Sequence, residues 1–148
     1  MNRQRRTLVL AGATAGWLTL RPLPAGAQPA WLAARDALTG GTTPRPGRVQ
    51  LEISPLVENG NAVPIGVTVD SPMTTADHVR RIVLLTERNP QPEVAVFTLS
   101  PACGRAQVAT RIRLATSQTI WALAEEADSR WWQQGVEVIV TLAACVEG

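Results

Sequence analysis

Val49-Gln50-Leu51-Glu52-Ile53 and, after the turn Glu58-Asn59-Gly60-Asn61, Val63-Pro64-Ile65-Gly66-Val67-Thr68-Val69 place an apolar side chain at every second position. A period of two lines one face of a strand with apolar groups and leaves the other face for solvent. Asn and Gly between the runs supply turn chemistry. Working outward, further strand candidates cover residues 79–86, 94–99, 107–115, 119–126 and 135–142. They are separated by Asp70-Ser71-Pro72, Asn89-Pro90-Gln91-Pro92, Ser100-Pro101-Ala102-Cys103-Gly104, Thr116-Ser117 and Asp128-Ser129. Seven short strands at this spacing predict an all-β fold, an immunoglobulin-like antiparallel β-sandwich over residues 48–142. Ahead of it, Pro29 precedes good helix formers with Trp31, Ala34 and Leu38 on one face and Gly40-Gly41 as the stop. Residues 28–47 are therefore expected to form one short helix docked on the sandwich and a linker carrying Pro44 and Pro46.

Residues 1–6 hold three arginines and no acid, and a small-residue apolar run follows over residues 7–20. That arrangement predicts an export leader, and the adjacent Arg5 and Arg6 fit its twin-arginine form. Gly12, Gly16 and Arg21 interrupt the apolar run before it reaches the ~20 residues of a membrane span. Ala25-Gly26-Ala27 supplies a small-x-small cleavage site, so residues 1–27 are expected to be removed, giving a periplasmic protein with no membrane attachment after cleavage. Four arginines leave with the leader, so 10 basic groups remain against 12 acidic ones. The basic whole-chain balance is therefore no evidence for nucleic-acid binding, which would need a clustered basic face on the mature chain, and no nucleic-acid partner is expected.

One histidine, His78, and two cysteines offer no metal-ligand cluster, so neither a metal nor another cofactor is expected. Cys103 lies in the turn after the fourth predicted strand and Cys145 beyond the seventh. In an antiparallel arrangement those positions fall at opposite poles, roughly 20 Å apart along a six-residue strand, far beyond the ~7 Å Cα separation of a disulfide. Cys103 is thus a second thiol without an assigned role.

Val136, Val138, Val140 and Leu142 point one way and Glu137, Ile139 and Thr141 the other, which predicts a chain held as far as Leu142. Ala143, Ala144, Cys145, Val146, Glu147 and Gly148 then form an arm, with the Cys145 backbone on the order of 10 Å beyond the sheet. Such an arm lacks the base, orienting group and oxyanion donors of a catalytic pocket. A thiol presented this way suits modification by the active sites of other proteins, to which the tether supplies high effective concentration. The competing reading is a periplasmic interaction or assembly module in which Cys145 forms a mixed disulfide or no adduct at all.

Glu58-Asn59-Gly60-Asn61-Ala62-Val63-Pro64 with Val67-Thr68-Val69-Asp70-Ser71-Pro72-Met73 resembles a block of the SoxY family, the sulfur-carrier subunits of bacterial sulfur oxidation. Asn89-Pro90-Gln91-Pro92-Glu93-Val94-Ala95, Phe97, Arg111-Ile112-Arg113-Leu114-Ala115, Gln118 and Ala124-Glu125 continue the resemblance in order. The family's Gly-Gly-Cys-Gly-Gly arm is replaced here by Ala143-Ala144-Cys145-Val146-Glu147, similar to a SoxY-related group with an Ala-Ala-Cys-Ile-Glu arm. The resemblance implies a non-enzymatic carrier with sulfur attached covalently at Cys145. It also implies a heterodimer with a SoxZ-like immunoglobulin-fold subunit, and service to periplasmic redox and hydrolytic enzymes. Ala and β-branched Val restrict the arm where glycine would not, and Glu147 favours the protonated thiol and repels anionic adducts. Trp131 and Trp132 are consecutive in extended chain, so one of them is expected to face outward as a partner contact, while Trp121 is expected in the core.

Overall fold

The computed structural model describes residues 26–144; residues 1–25, most of the expected leader, and residues 145–148, including Cys145, lie outside the described residues. Nine strands form two sheets: β1 (Arg45–Pro46), β2 (Val49–Glu52), β3 (Leu56–Val57), β4 (Val63–Val69), β5 (Val79–Thr86), β6 (Glu93–Thr98), β7 (Ala106–Ile112), β8 (Gln118–Glu126) and β9 (Trp131–Val140). The larger sheet runs β1-β9-β8-β5-β6 with β3 also on β9, and the smaller runs β2-β4-β7. Seven of these are the strands the alternation predicts, and they pair antiparallel throughout. The other two, β1 and β3, are two residues each and pair parallel with β9, so the sandwich is not antiparallel everywhere.

Alternation becomes packing in β4, where Val63, Ile65, Val67 and Val69 are buried and the residues between them are not. They meet Ile82, Leu84, Ile120, Ala122, Ala124 and Val138 from the larger sheet in one core. The run Ile82-Val83-Leu84-Leu85 is buried at every position because the larger sheet is covered on both faces. Its outer face carries Val83, Leu85, Leu123 and Trp131, packed against Ala34 and Leu38 of α1 (Ala30–Thr39) and against Trp121. Gly40 ends α1 in the left-handed conformation, its amide donating to the Asp36 carbonyl.

Trp121 is on that outer face rather than between the sheets. Its ring stacks on Trp31 of α1 at 5.3 Å, and its Nε1 donates to Glu87. Trp131 and Trp132 do turn to opposite faces, but α1 covers the outward one: Trp131 is 5% exposed and Arg81 lies over its ring. Trp132 packs toward the main core beneath Arg48. The chain's own helix and arginines therefore occupy the faces on which a partner contact was expected.

Candidate functional site

Strand pairing sets the polarity of the body. Trp131 at the start of β9 lies beside Glu125, and Arg81 on β5 lies beside both Glu125 and Thr98. Cys103 follows β6 in a single 3₁₀ turn (Pro101–Cys103), so this exposed free thiol belongs to the pole where β9 begins. The same pole holds the ionic groups of β8. Glu125 pairs with Arg80 at 2.6 Å and Arg81 at 2.8 Å, and Glu126 with Arg48. Arg130 adds a contact to Glu126 at 3.0 Å that is close in charge but short of hydrogen-bond geometry. The tail leaves from the other pole, separated by the ten residues of β9, roughly 30 Å.

At that second pole the chain stays attached beyond the last strand residue. Ile139 N–H donates to Pro55, Thr141 N–H to Val57 (3.0 Å) and Leu142 N–H to Glu58 (3.2 Å), carrying the parallel pairing with β3 past the end of β9. Gly60 N–H then donates to the Leu142 carbonyl at 2.8 Å, and Ala144 N–H donates to the Leu114 carbonyl at 3.1 Å. Ala144 is 6% exposed, whereas Leu142 is 62% exposed. This corrects the sequence expectation in two ways. Leu142 does not continue the inward row of β9, and Ala143 and Ala144 are not free arm: the body holds the chain through Ala144, so Cys145 follows a fixed residue directly.

Gly60 is required here for close approach rather than for an unusual backbone angle. A Cβ on it would overlap the Leu114 carbonyl oxygen and fall 2.9 Å from Ala144 N and 3.2 Å from Val140 Cγ1. Leu114, fully buried, also donates its N–H to the Gly60 carbonyl at 2.8 Å. Asn89 holds the same segment from the other side. Its Nδ2 donates to the Arg113 carbonyl (2.8 Å) and its Oδ1 accepts from Ala115 N–H (3.0 Å), so one amide straddles Leu114. Gln118, 4% exposed, orients that amide by donating to Asn89 Oδ1 at 2.8 Å, and its own Oε1 accepts from Arg88 N–H at 2.8 Å. Sequence reasoning took Asn59-Gly60 and Asn89-Pro90 for turns and missed this convergence. The only sequence signal was that both lie in blocks carrying the family resemblance.

Around this root the surface is apolar on one side. Leu56 and Ile139, directly paired between β3 and β9, are 57% and 55% exposed. Arg111 and Arg113, on the segment leading to Leu114, are exposed and make no ion pair among the described residues. His78 is half-buried beside the Thr74 carbonyl, and among the described residues no three His, Cys, Asp or Glu side chains converge as a metal site. No helix among the described residues is long and apolar enough to cross a membrane.

A family model described as sulfur oxidation protein SoxY matches residues 35–145, from α1 to the cysteine that follows Ala144. The chain belongs to the SoxY family. Among solved structures, this SoxY-family chain is similar to the sulfur carrier protein SoxY from Chlorobium limicola f thiosulfatophilum, at 24% identity with a TM-score of 0.62 over 74% of this chain and 90% of that one. It also resembles a superoxide reductase (neelaredoxin) from Ignicoccus hospitalis, at 19% identity and a TM-score of 0.56 over 64% and 80% of the two chains. A putative superoxide reductase from Thermotoga maritima gives 24% identity and a TM-score of 0.53 over 66% and 87%. At these identities the structural likenesses establish the sandwich fold alone. No curated protein matches the chain.

Proposed function

We propose that this SoxY-family protein is a periplasmic, non-enzymatic carrier that holds sulfur intermediates covalently on Cys145. The observation that carries the reading is the family match running through to residue 145, onto the thiol one residue beyond the anchored Ala144. Twin-arginine export accounts for the first 27 residues and delivers the folded sandwich to the compartment where partner enzymes couple, oxidise and release the cargo. Attachment is a sulfur–sulfur bond to Cys145, formed with release of the thiol proton and transfer of two electrons to a partner redox enzyme, and cleavable by thiol exchange. Arg111 and Arg113 on the Leu114 segment support a cargo with an anionic end, offsetting the repulsion expected from Glu147. Intact mass of the unreduced protein tests this. Additions of sulfur or sulfonate units that vanish with reductant are expected, and a bare thiol from cells oxidising sulfur compounds contradicts the reading.

The exposed pair Leu56 and Ile139 supports an interface with a SoxZ-like immunoglobulin-fold subunit beside the tail. An aliphatic side chain of this exposure contributes little to the monomer and would be desolvated by a partner. Ile139→Asp is expected to weaken binding to a purified SoxZ-like subunit by about 2 kcal/mol, about 30-fold in Kd, with the unfolding midpoint unchanged. Titration calorimetry reads the difference, and equal affinity in the variant removes β9 from the interface.

A further inference from the structure

We infer that Asn89, oriented by Gln118, is the positioning residue of the carrier tail: by gripping both sides of Leu114 it fixes the carbonyl to which Ala144 is bound, and so sets the point from which Cys145 is delivered. This deepens the carrier reading and rests on it for its functional meaning.

Three sets of contacts make the case. The Asn89 amide donates to the Arg113 carbonyl and accepts from Ala115 N–H, so the peptide on each side of Leu114 is pinned by one side chain. Gln118 is buried and spends its own amide on Asn89 Oδ1, the Thr116 carbonyl and Arg88 N–H, which leaves the Asn89 amide one orientation. The Leu114 peptide, thus immobilised, exchanges hydrogen bonds with Gly60 and Ala144 where a Cβ on Gly60 has no room. A backbone N–H near a chain end frays unless its acceptor is rigid. Here the acceptor is held by the Asn89–Gln118 side-chain network. With Ala144 fixed, one Cα–Cα step of ~3.8 Å separates the thiol-bearing residue from the body. A partner enzyme must therefore approach the root itself rather than draw in a six-residue arm.

A nitroxide attached to Cys145 in a Cys103→Ser background tests the grip. Asn89→Ala is expected to narrow the label's spectrum to that of a mobile side chain and to speed exchange of the Ala144 amide by about tenfold, the loss of roughly one hydrogen bond. Asn89→Asp, which keeps the acceptor and loses the donor, falls between. Ala144→Pro removes the tail's donor while leaving the Asn89–Gln118 side chains in place and should mobilise the label equally, whereas Ala144→Gly should not. Adding Asn89→Ala to Ala144→Pro should then change the label no further, a non-additivity that general destabilisation would not produce. Should Asn89→Ala not fold, the Ala144→Pro and Ala144→Gly pair still decides whether Leu114 restrains the tail. An unchanged spectrum in folded Asn89→Ala or in Ala144→Pro overturns the inference. Intact mass of the unlabelled protein separates the two proposals: sulfur on Cys145 with no change in label mobility retains the carrier and rejects the grip, and the converse rejects the carrier and retains the grip.

Discussion

Cys145→Ser is expected to abolish every reductant-labile sulfur addition while leaving the urea midpoint of the sandwich in place. A serine hydroxyl neither ionises near neutral pH nor forms a bond that thiol exchange can reverse, so no partial loading remains. The last hydrogen bond of the described residues is that of Ala144, and exchanging one atom in the following residue is expected to alter stability by no more than about 0.5 kcal/mol. Cys103→Ser is the matched control. It removes an exposed thiol from a turn at the far pole and is expected to load like the wild type. Intact mass and urea titration on the three proteins check the set. An addition that persists in Cys145→Ser and disappears in Cys103→Ser would transfer the cargo to the wrong end of the molecule.

Leu84→Ala is expected to cost about 3–4 kcal/mol, out of a stability on the order of 5–15 kcal/mol for a domain of this size. Leu84 is fully buried in the inter-sheet core, on a strand bonded along both edges to β6 and β8. With its backbone fixed on both sides, the site cannot close around the lost methyl groups, so the cavity term adds to the transfer term. Val96→Ala supplies the contrast. Val96 sits on the edge strand β6 and is 46% exposed, so its truncation should fall within about 0.5 kcal/mol. Urea midpoints measured with an unchanged slope check both values.

The seven main strands were legible because each is apolar on at least one face, and β4 shows that alternation residue by residue in its burial. Ile82–Leu85 reads as a strand without alternation because α1 covers the face that solvent would otherwise take. The sequence carries no direct mark of that helix's docking site, so only the structure shows that Trp121 packs on the outer cluster and that Trp131 is covered. The two-residue strands β1 and β3 are too short to carry any period. They exist because β9 offers backbone groups beside them.

The functional end was legible only in part, for a different reason. Cys145 stands out by its position and by the resemblance of its flanking blocks. What restrains the chain before it is a set of backbone bonds from Leu142 and Ala144 to loops distant in sequence, and backbone bonding leaves no trace in side-chain patterning. Asn59-Gly60 and Asn89-Pro90 are also good turn sequences. Their second task, accepting a close backbone approach and straddling Leu114, depends on tertiary neighbours that local turn chemistry does not specify. Gly60, Asn89, Leu114 and Gln118, drawn from separate family blocks, thus converge on the root of the tail, whereas Glu125 lies at the opposite pole.

Trypsin offers the most direct test, because no arginine or lysine follows Arg130 and the two cysteines separate into peptides 89–105 and 131–148. In protein isolated without reductant from cells oxidising a sulfur compound, peptide 131–148 should carry the sulfur addition and peptide 89–105 a bare thiol. A bare thiol in 131–148, or sulfur found on 89–105 alone, would contradict covalent carriage at Cys145.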